Sequence, residues 1–96
     1  MDKKTLYEIE FRYSDNDELY QLPVLLTDSE YQRTAKFLEG LLEAGEIVAA
    51  DGTDSDTIEN VIYEPAERKP LDFTELTTLW KDGTLMRMAD ANGIQF

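Results

Sequence analysis

A chain of 96 residues can bury one hydrophobic core and is too short for two, so we expect a single domain spanning residues 1–96. The sequence has no cysteine and no histidine, which excludes disulfides and zinc sites of the usual kind and removes the commonest proton-transfer side chain. Its formal net charge is −12, but 42% of its residues are hydrophobic, a fraction typical of a folded protein.

Two segments, 5–13 and 20–26, alternate apolar and polar side chains with the period of half-buried β-strands. Their apolar positions are Tyr7, Ile9, Phe11, Tyr13, Tyr20, Leu22, Val24 and Leu26. The polar residues 14–17 between them predict a turn, and therefore a hairpin. A symmetric turn pairs Phe11 with Tyr20, Ile9 with Leu22 and Tyr7 with Val24, which places the apolar residues on one face.

Pro23 indicates the length of that turn. A proline has no N–H to donate to the ladder, so it must lie where this group would point away from the partner strand. A four-residue loop places Pro23 opposite Glu8 at a non-hydrogen-bonded pair, whereas a two-residue loop makes that pair a hydrogen-bonded one. We therefore predict the four-residue loop, and that the outer side of this strand is an edge of the sheet, at least near Pro23.

The segment after the hairpin has the pattern of a long helix. Residues 27–30, Thr-Asp-Ser-Glu, match a capping box, which predicts the helix start. Residues with helical spacing follow at Tyr31, Thr34, Ala35, Leu38, Leu41 and Leu42. Gly45 suits the left-handed position after a helix end, so we expect the helix to end there.

The next segments alternate between short strands and polar connections. Residues 46–50 and 58–64 are rich in β-favouring side chains and predict two strands. Residues 51–56 predict a polar loop between them, and residues 65–70, which contain two prolines, a short linker within the domain.

A second helix is predicted after this linker. Asp72 and Glu75 form a box-like start, and Phe73, Leu76, Leu79 and Trp80 follow, with Gly83 as the expected end. Residues 84–96 are compatible with either a helix or a strand. The fold class that these elements predict is α+β: a small antiparallel sheet, made of the N-terminal β-hairpin plus a second strand pair, packed against one main helix and a second C-terminal helix.

Acidic residues are concentrated in the middle third of the sequence. Between Phe37 and Glu67 there are nine carboxylates and no lysine or arginine, whereas the other 65 residues carry twelve acids and nine bases. Solubility does not require this segregation, because mixed charges dissolve a protein with less self-repulsion. The pattern therefore indicates a surface that binds a cationic partner. The residues predicted to bind it are Glu39, Glu43, Glu46, Asp51, Asp54, Asp56 and Glu59.

No metal, no cofactor and no enzymatic activity are expected. The acidic loop matches the calcium-binding EF-hand pattern at Asp54 and Asp56 only, and it lacks the required glycine. The sequence contains no nucleophile elbow, phosphate-binding loop or dinucleotide fingerprint. Direct nucleic-acid binding is disfavoured because no basic stripe offsets the negative charge.

Membrane association is also disfavoured by the sequence. No apolar run approaches the ~20 residues that cross a bilayer, and anionic lipid repels an acidic protein. Glu8 and Glu10 interrupt the apolar stretch that a signal peptide would need after Lys3 and Lys4. We therefore expect a soluble cytoplasmic protein.

Two functions fit these patterns. The first is a protein-interaction domain whose acidic surface occupies a basic groove of a DNA- or RNA-binding protein, as a nucleic-acid mimic that inhibits it. The second is a small cytoplasmic accessory protein, with a homodimer as one form, whose acidity is incidental and whose interface is an apolar patch or an open sheet edge. No motif in the sequence carries a family resemblance.

Overall fold

The computed structural model describes residues 3–15, 18–49, 58–60 and 69–96. Its elements are β1 (Thr5–Tyr13), β2 (Leu19–Leu26), α1 (Asp28–Ala44), β3 (Ile47–Ala49), β4 (Ile58–Asn60), α2 (Phe73–Lys81) and α3 (Thr84–Ala91). An antiparallel sheet with helices on one face is the predicted α+β class, which is confirmed. The segment that was compatible with two structures forms α3, while the predicted loop 51–56 and the linker residues 65–68 lie outside the described residues.

The hairpin of β1 and β2 has the predicted register. Phe11 pairs with Tyr20, Ile9 with Leu22 and Tyr7 with Val24, so the alternating apolar residues face the same side. Glu8 lies opposite Pro23. The Pro23 carbonyl accepts a hydrogen bond from outside the hairpin, and in an extended strand the missing N–H would point the same way. This is the non-hydrogen-bonded pair expected for a four-residue loop.

The strand that carries Pro23 is an edge strand of the sheet, as predicted, but its edge is covered at this point. Leu71 lies beside β2 as a one-residue parallel bridge to Val24. Its N–H donates to the Pro23 carbonyl at 2.9 Å, and its carbonyl accepts from the Leu25 N–H at 2.8 Å. Leu71 therefore bonds to the Pro23 carbonyl and to the Leu25 N–H, and neither bond uses the N–H that proline lacks.

Both short strands pair with the other side of β1. The β3 register places Ile47 opposite Tyr13 and Ala49 opposite Phe11, and the β4 register places Ile58 opposite Ile9. The second strand pair of the predicted sheet thus lies end to end along β1. The backbone of Glu59 pairs with Glu8 in this arrangement.

The ends of α1 are capped as the sequence predicts. Thr27 Oγ1 accepts a hydrogen bond from the Glu30 N–H at 3.3 Å, and Glu30 Oε1 accepts from the Thr27 N–H at 2.9 Å. Gly45 follows the helix with a left-handed φ of 80°. The next N–H, that of Glu46, donates back to the Leu41 carbonyl, which satisfies a helix-end acceptor.

The hydrophobic core lies between the sheet and the helices. Its buried residues are Ile9, Phe11, Val24, Leu26, Phe37, Leu38, Leu41, Ile47, Leu76, Trp80, Leu85 and Ala89. Phe37 is fully buried although it was absent from the predicted periodic set of α1. The Phe37 ring stacks on Trp80 and meets Phe96 edge to face. Helix α2 and the C-terminal segment, residues 92–96, thus cover part of the buried face of α1.

A glycine in the middle of α1 allows the C-terminal segment to pack against it. A Cβ at Gly40 would lie 3.0 Å from the Ile94 side chain, closer than ordinary packing permits. Glycine inside a helix costs about 1 kcal/mol relative to alanine. At position 40 the missing side chain leaves room for Ile94 to pack against the helix backbone.

Leu38 and Glu39 provide a direct test of the assigned face of α1. Leu38 is fully buried and Glu39 is exposed. We expect Leu38→Ala to lower the free energy of unfolding by about 2–5 kcal/mol through lost burial and a cavity. Glu39→Ala should change it by less than about 0.5 kcal/mol. Urea unfolding midpoints measure both, and equal effects with unchanged slopes would contradict this packing.

Candidate functional site

The predicted partner-binding residues fall into three groups. Glu39 and Glu43 are exposed on successive turns of α1, and Glu46 follows the helix and is half-buried. Glu59 lies in β4, where its backbone pairs with Glu8 of β1. The loop residues Asp51, Asp54 and Asp56 lie outside the described residues.

The hairpin turn brings further acidic residues to the end of α1. The Ser14 N–H donates to the Glu46 carbonyl at 3.2 Å, which joins the turn to the residue that follows the helix. Asp15 lies next to this contact, and Glu18 begins the return strand and accepts a hydrogen bond from the Tyr20 hydroxyl at 3.1 Å. We define the acidic end as Asp15, Glu18, Glu39, Glu43 and Glu46. Sequence analysis missed Asp15 and Glu18 because their proximity depends on β3 pairing with β1.

Several of these carboxylates lie where they oppose helix stability. Glu43 is in the last turn of α1, which contains no basic residue, and the partial negative charge of a helix C-terminus disfavours an acid there. Glu39 and Glu43 are four residues apart, a spacing that places like charges together. Each unfavourable interaction is of the order of a few tenths of a kcal/mol. Lys36, three residues before Glu39, offsets part of this repulsion, so Glu43 is the acid for which helix stability gives no reason.

A groove beside α1 is lined by both basic and acidic side chains. Arg33 and Lys36 line it together with Glu39, Glu43 and residues 93–96. The Arg33 guanidinium lies 5.0 Å from the centre of the Phe73 ring, and its Nη2 donates to the Phe96 backbone oxygen at 3.3 Å. Arg33 thus holds the C-terminal segment against α1, and the negative charge predominates only towards the helix end.

A second concave feature lies near the acidic end. This aromatic pocket, of about 280 Å³, is formed by side chains from the hairpin, from α2 and from the start of α3. Its main walls are Phe11, Tyr13, Tyr20, Leu22, Leu79 and Trp80. The Phe11 and Tyr20 rings stack with centres 5.1 Å apart, and Tyr13 meets Tyr20 edge to face at 5.0 Å. Leu79, predicted on the apolar face of α2, is 49% exposed at this pocket.

Burial and the neighbouring carboxylates raise the pKa of both tyrosines of the pocket, Tyr13 and Tyr20. Burial raises the pKa of Tyr13, a hydrogen bond with Thr84 lowers it, and the negative charges of Glu18 and Asp15 raise it further. Partial burial also raises the pKa of Tyr20, as does its hydrogen bond to Glu18. The pocket therefore opens beside negative charge.

The described residues contain no cluster of side chains suited to a metal ion. Within them, no group of three or more potential metal-binding side chains converges on one point. Likewise, none of the helices described has the length and apolar character required to span a membrane.

Added salt should stabilise the fold, because it screens the repulsion among the carboxylates of the acidic end. The Debye length falls from about 30 Å at 0.01 M salt to about 8 Å at 0.15 M, which screens charges spread over two turns of helix and the adjacent hairpin turn. A gain on the order of 1 kcal/mol raises the melting temperature of a domain this size by roughly 4–8 °C. A thermal melt across this NaCl range measures it, and a flat or falling melting temperature would show that these acids do not repel one another.

Comparison of the chain with protein-family models, with curated proteins and with solved structures finds no match.

Proposed function

We propose that this protein acts without catalysis, by binding a partner protein whose surface is basic. The supporting observation is the position of the carboxylates at the end of α1. Glu43 lies at a helix end that disfavours an acid, and Glu39 lies one turn before it. The hydrogen bond from the Ser14 N–H to the Glu46 carbonyl joins the hairpin turn, with Asp15, to the residue that follows this helix. Charges that reduce stability and are gathered at one end of a domain have their natural explanation in recognition.

The most specific form of this proposal is nucleic-acid mimicry. Carboxylates on a rigid domain compete for the lysine and arginine clusters that otherwise hold phosphates. The loop acids Asp51, Asp54 and Asp56 lie outside the described residues, and they are part of the proposal on the charge pattern of the sequence alone. The partner is then a cytoplasmic DNA- or RNA-binding protein, and occupation of its groove inhibits it.

Capture with competition tests this function. The protein is immobilised, incubated with an extract of its source cells, and washed with an excess of duplex DNA or of RNA at constant salt. We expect a nucleic-acid-binding protein to be retained and then displaced by the nucleic acid. Capture that duplex DNA and RNA both leave intact would contradict mimicry.

A row of exposed apolar residues favours the second candidate function, self-association. Leu19 and Val48, each 42% exposed, lie on either side of Arg12 across the outer face of the sheet. Such a row suits an isologous dimer that buries it against its own copy. Sedimentation at low and high salt discriminates the two functions. A dimer that persists at high salt supports self-association, whereas partner binding that collapses with added salt supports the acidic end.

A further inference from the structure

The aromatic pocket has the dimensions and chemistry of a site for a single apolar side chain. Sites that bury small organic ligands usually enclose about 300–1,000 Å³, and this pocket, at about 280 Å³, is below that range. Most of the lining is apolar, since the side chains of Phe11, Leu22, Leu79 and Trp80 surround the pocket. Walls of this kind favour an occupant that is itself apolar.

Exposure at the rim indicates that the pocket is completed by another molecule. Leu79 is the most exposed large hydrophobic residue among those described, and it lies directly on this pocket. An aromatic floor with an exposed leucine at its edge resembles the centre of a protein interface, where one or two buried side chains supply most of the affinity.

The charge around the pocket selects the occupant. Asp15 and Glu18 lie on the hairpin side, close enough to influence both tyrosines, and the rest of the acidic end continues beyond the turn. A segment that enters from the hairpin side therefore meets a net negative field, which attracts lysine and arginine on either side of the inserted residue.

We propose that the aromatic pocket receives one large apolar side chain, of leucine, methionine or phenylalanine type, from a basic segment of the partner protein. This rests on the proposed function for the basic character of the segment. The acidic end then guides association and the pocket anchors the complex.

The single tryptophan of the chain makes the pocket directly observable. Trp80 is the sole tryptophan and forms part of the pocket wall, so its fluorescence reports on occupancy. The probes are three capped five-residue peptides without tyrosine or tryptophan: Lys-Arg-Phe-Lys-Arg, the same peptide with alanine at the centre, and Glu-Glu-Phe-Glu-Glu. We expect a saturable change with the first and binding at least tenfold weaker with the second, because the phenyl ring is what the pocket buries.

Two variants locate the binding. Leu79→Ala should weaken the basic phenylalanine peptide severalfold and leave the alanine peptide unaffected. Leu19→Ala is the matched control, since it is the same substitution at similar exposure on the outer face of the sheet, and should have no effect.

The outcomes separate the pocket from the proposed function. Equal affinity for the phenylalanine and alanine peptides, an equal effect of both leucine variants, or no saturable change in Trp80 fluorescence would overturn the pocket. A glutamate peptide that binds as tightly as the basic one would overturn the basic segment and count against the proposed function, while the pocket itself would stand.

Discussion

Phe37→Ala should lower the free energy of unfolding by about 3–5 kcal/mol. Phe37 is fully buried, its ring stacks on Trp80 with centres 5.2 Å apart, and Phe96 meets it edge to face at 4.7 Å. The substitution removes the burial of one aromatic side chain and leaves two rings without their partner. Aromatic pairs contribute roughly 0.5–1.5 kcal/mol beyond the area they bury, so the loss should lie at the upper end for core residues.

Phe37→Leu provides the control for this prediction. Leucine keeps most of the apolar volume and loses the ring contacts, so the loss in free energy of unfolding should be clearly smaller than for alanine. Urea unfolding followed by Trp80 fluorescence measures both variants and reports on the cluster itself. A loss below about 1 kcal/mol for alanine would show that the C-terminal segment does not pack on α1 as described.

The hairpin and α1 could be predicted in detail because local rules determine them. Strand alternation and the missing N–H of Pro23 together specify the register, and the four residues from Thr27 to Glu30 carry a complete capping box. The edge position of β2 was predicted, but the bridge that covers it beside Pro23 was not. Leu71 reaches that edge from 47 residues away in the sequence, a contact that no local pattern indicates.

The remaining features depend on contacts between distant segments. Leu85, Met86 and Met88 satisfy either a helical or an extended pattern, and α3 is selected by packing against α2 and α1. The aromatic pocket is assembled from three segments, so the exposure of Leu79 could not be deduced from the α2 pattern. The charge segregation is visible in the sequence, and the binding surface inferred from it stays a prediction. The position of the hairpin turn beside Glu46 depends on the Ser14 contact, which no local pattern indicates.

Reversing two acids at the end of α1 should reduce partner affinity by about 100-fold. In Glu39→Lys/Glu43→Lys, two attractions to a basic groove become two repulsions, and like charges brought together across an interface cost several kcal/mol. The association rate should account for much of the loss and should become less dependent on salt. The same variant should be about as stable as the parent chain, since Glu43→Lys places a cation in the last turn of α1, which has no basic residue.

A matched variant separates a localised site from total charge. Asp28→Lys/Glu75→Lys changes the net charge by the same amount at two exposed positions, each in the first turn of a helix. Asp28 begins α1, whose 17 residues span about 25 Å, so it lies far from Glu43. Its reversal should leave affinity within a fewfold of the parent chain, although it removes a favourable helix-end charge and lowers stability slightly.

The most direct measurement compares the affinities of these two double variants for the nucleic-acid-binding protein obtained by capture, at one salt concentration and with both variants shown to be folded. If the acidic end is the binding surface, Glu39→Lys/Glu43→Lys loses about 100-fold and Asp28→Lys/Glu75→Lys loses little. Equal losses in both would mean that only total charge matters, and that the acidic end is not a site.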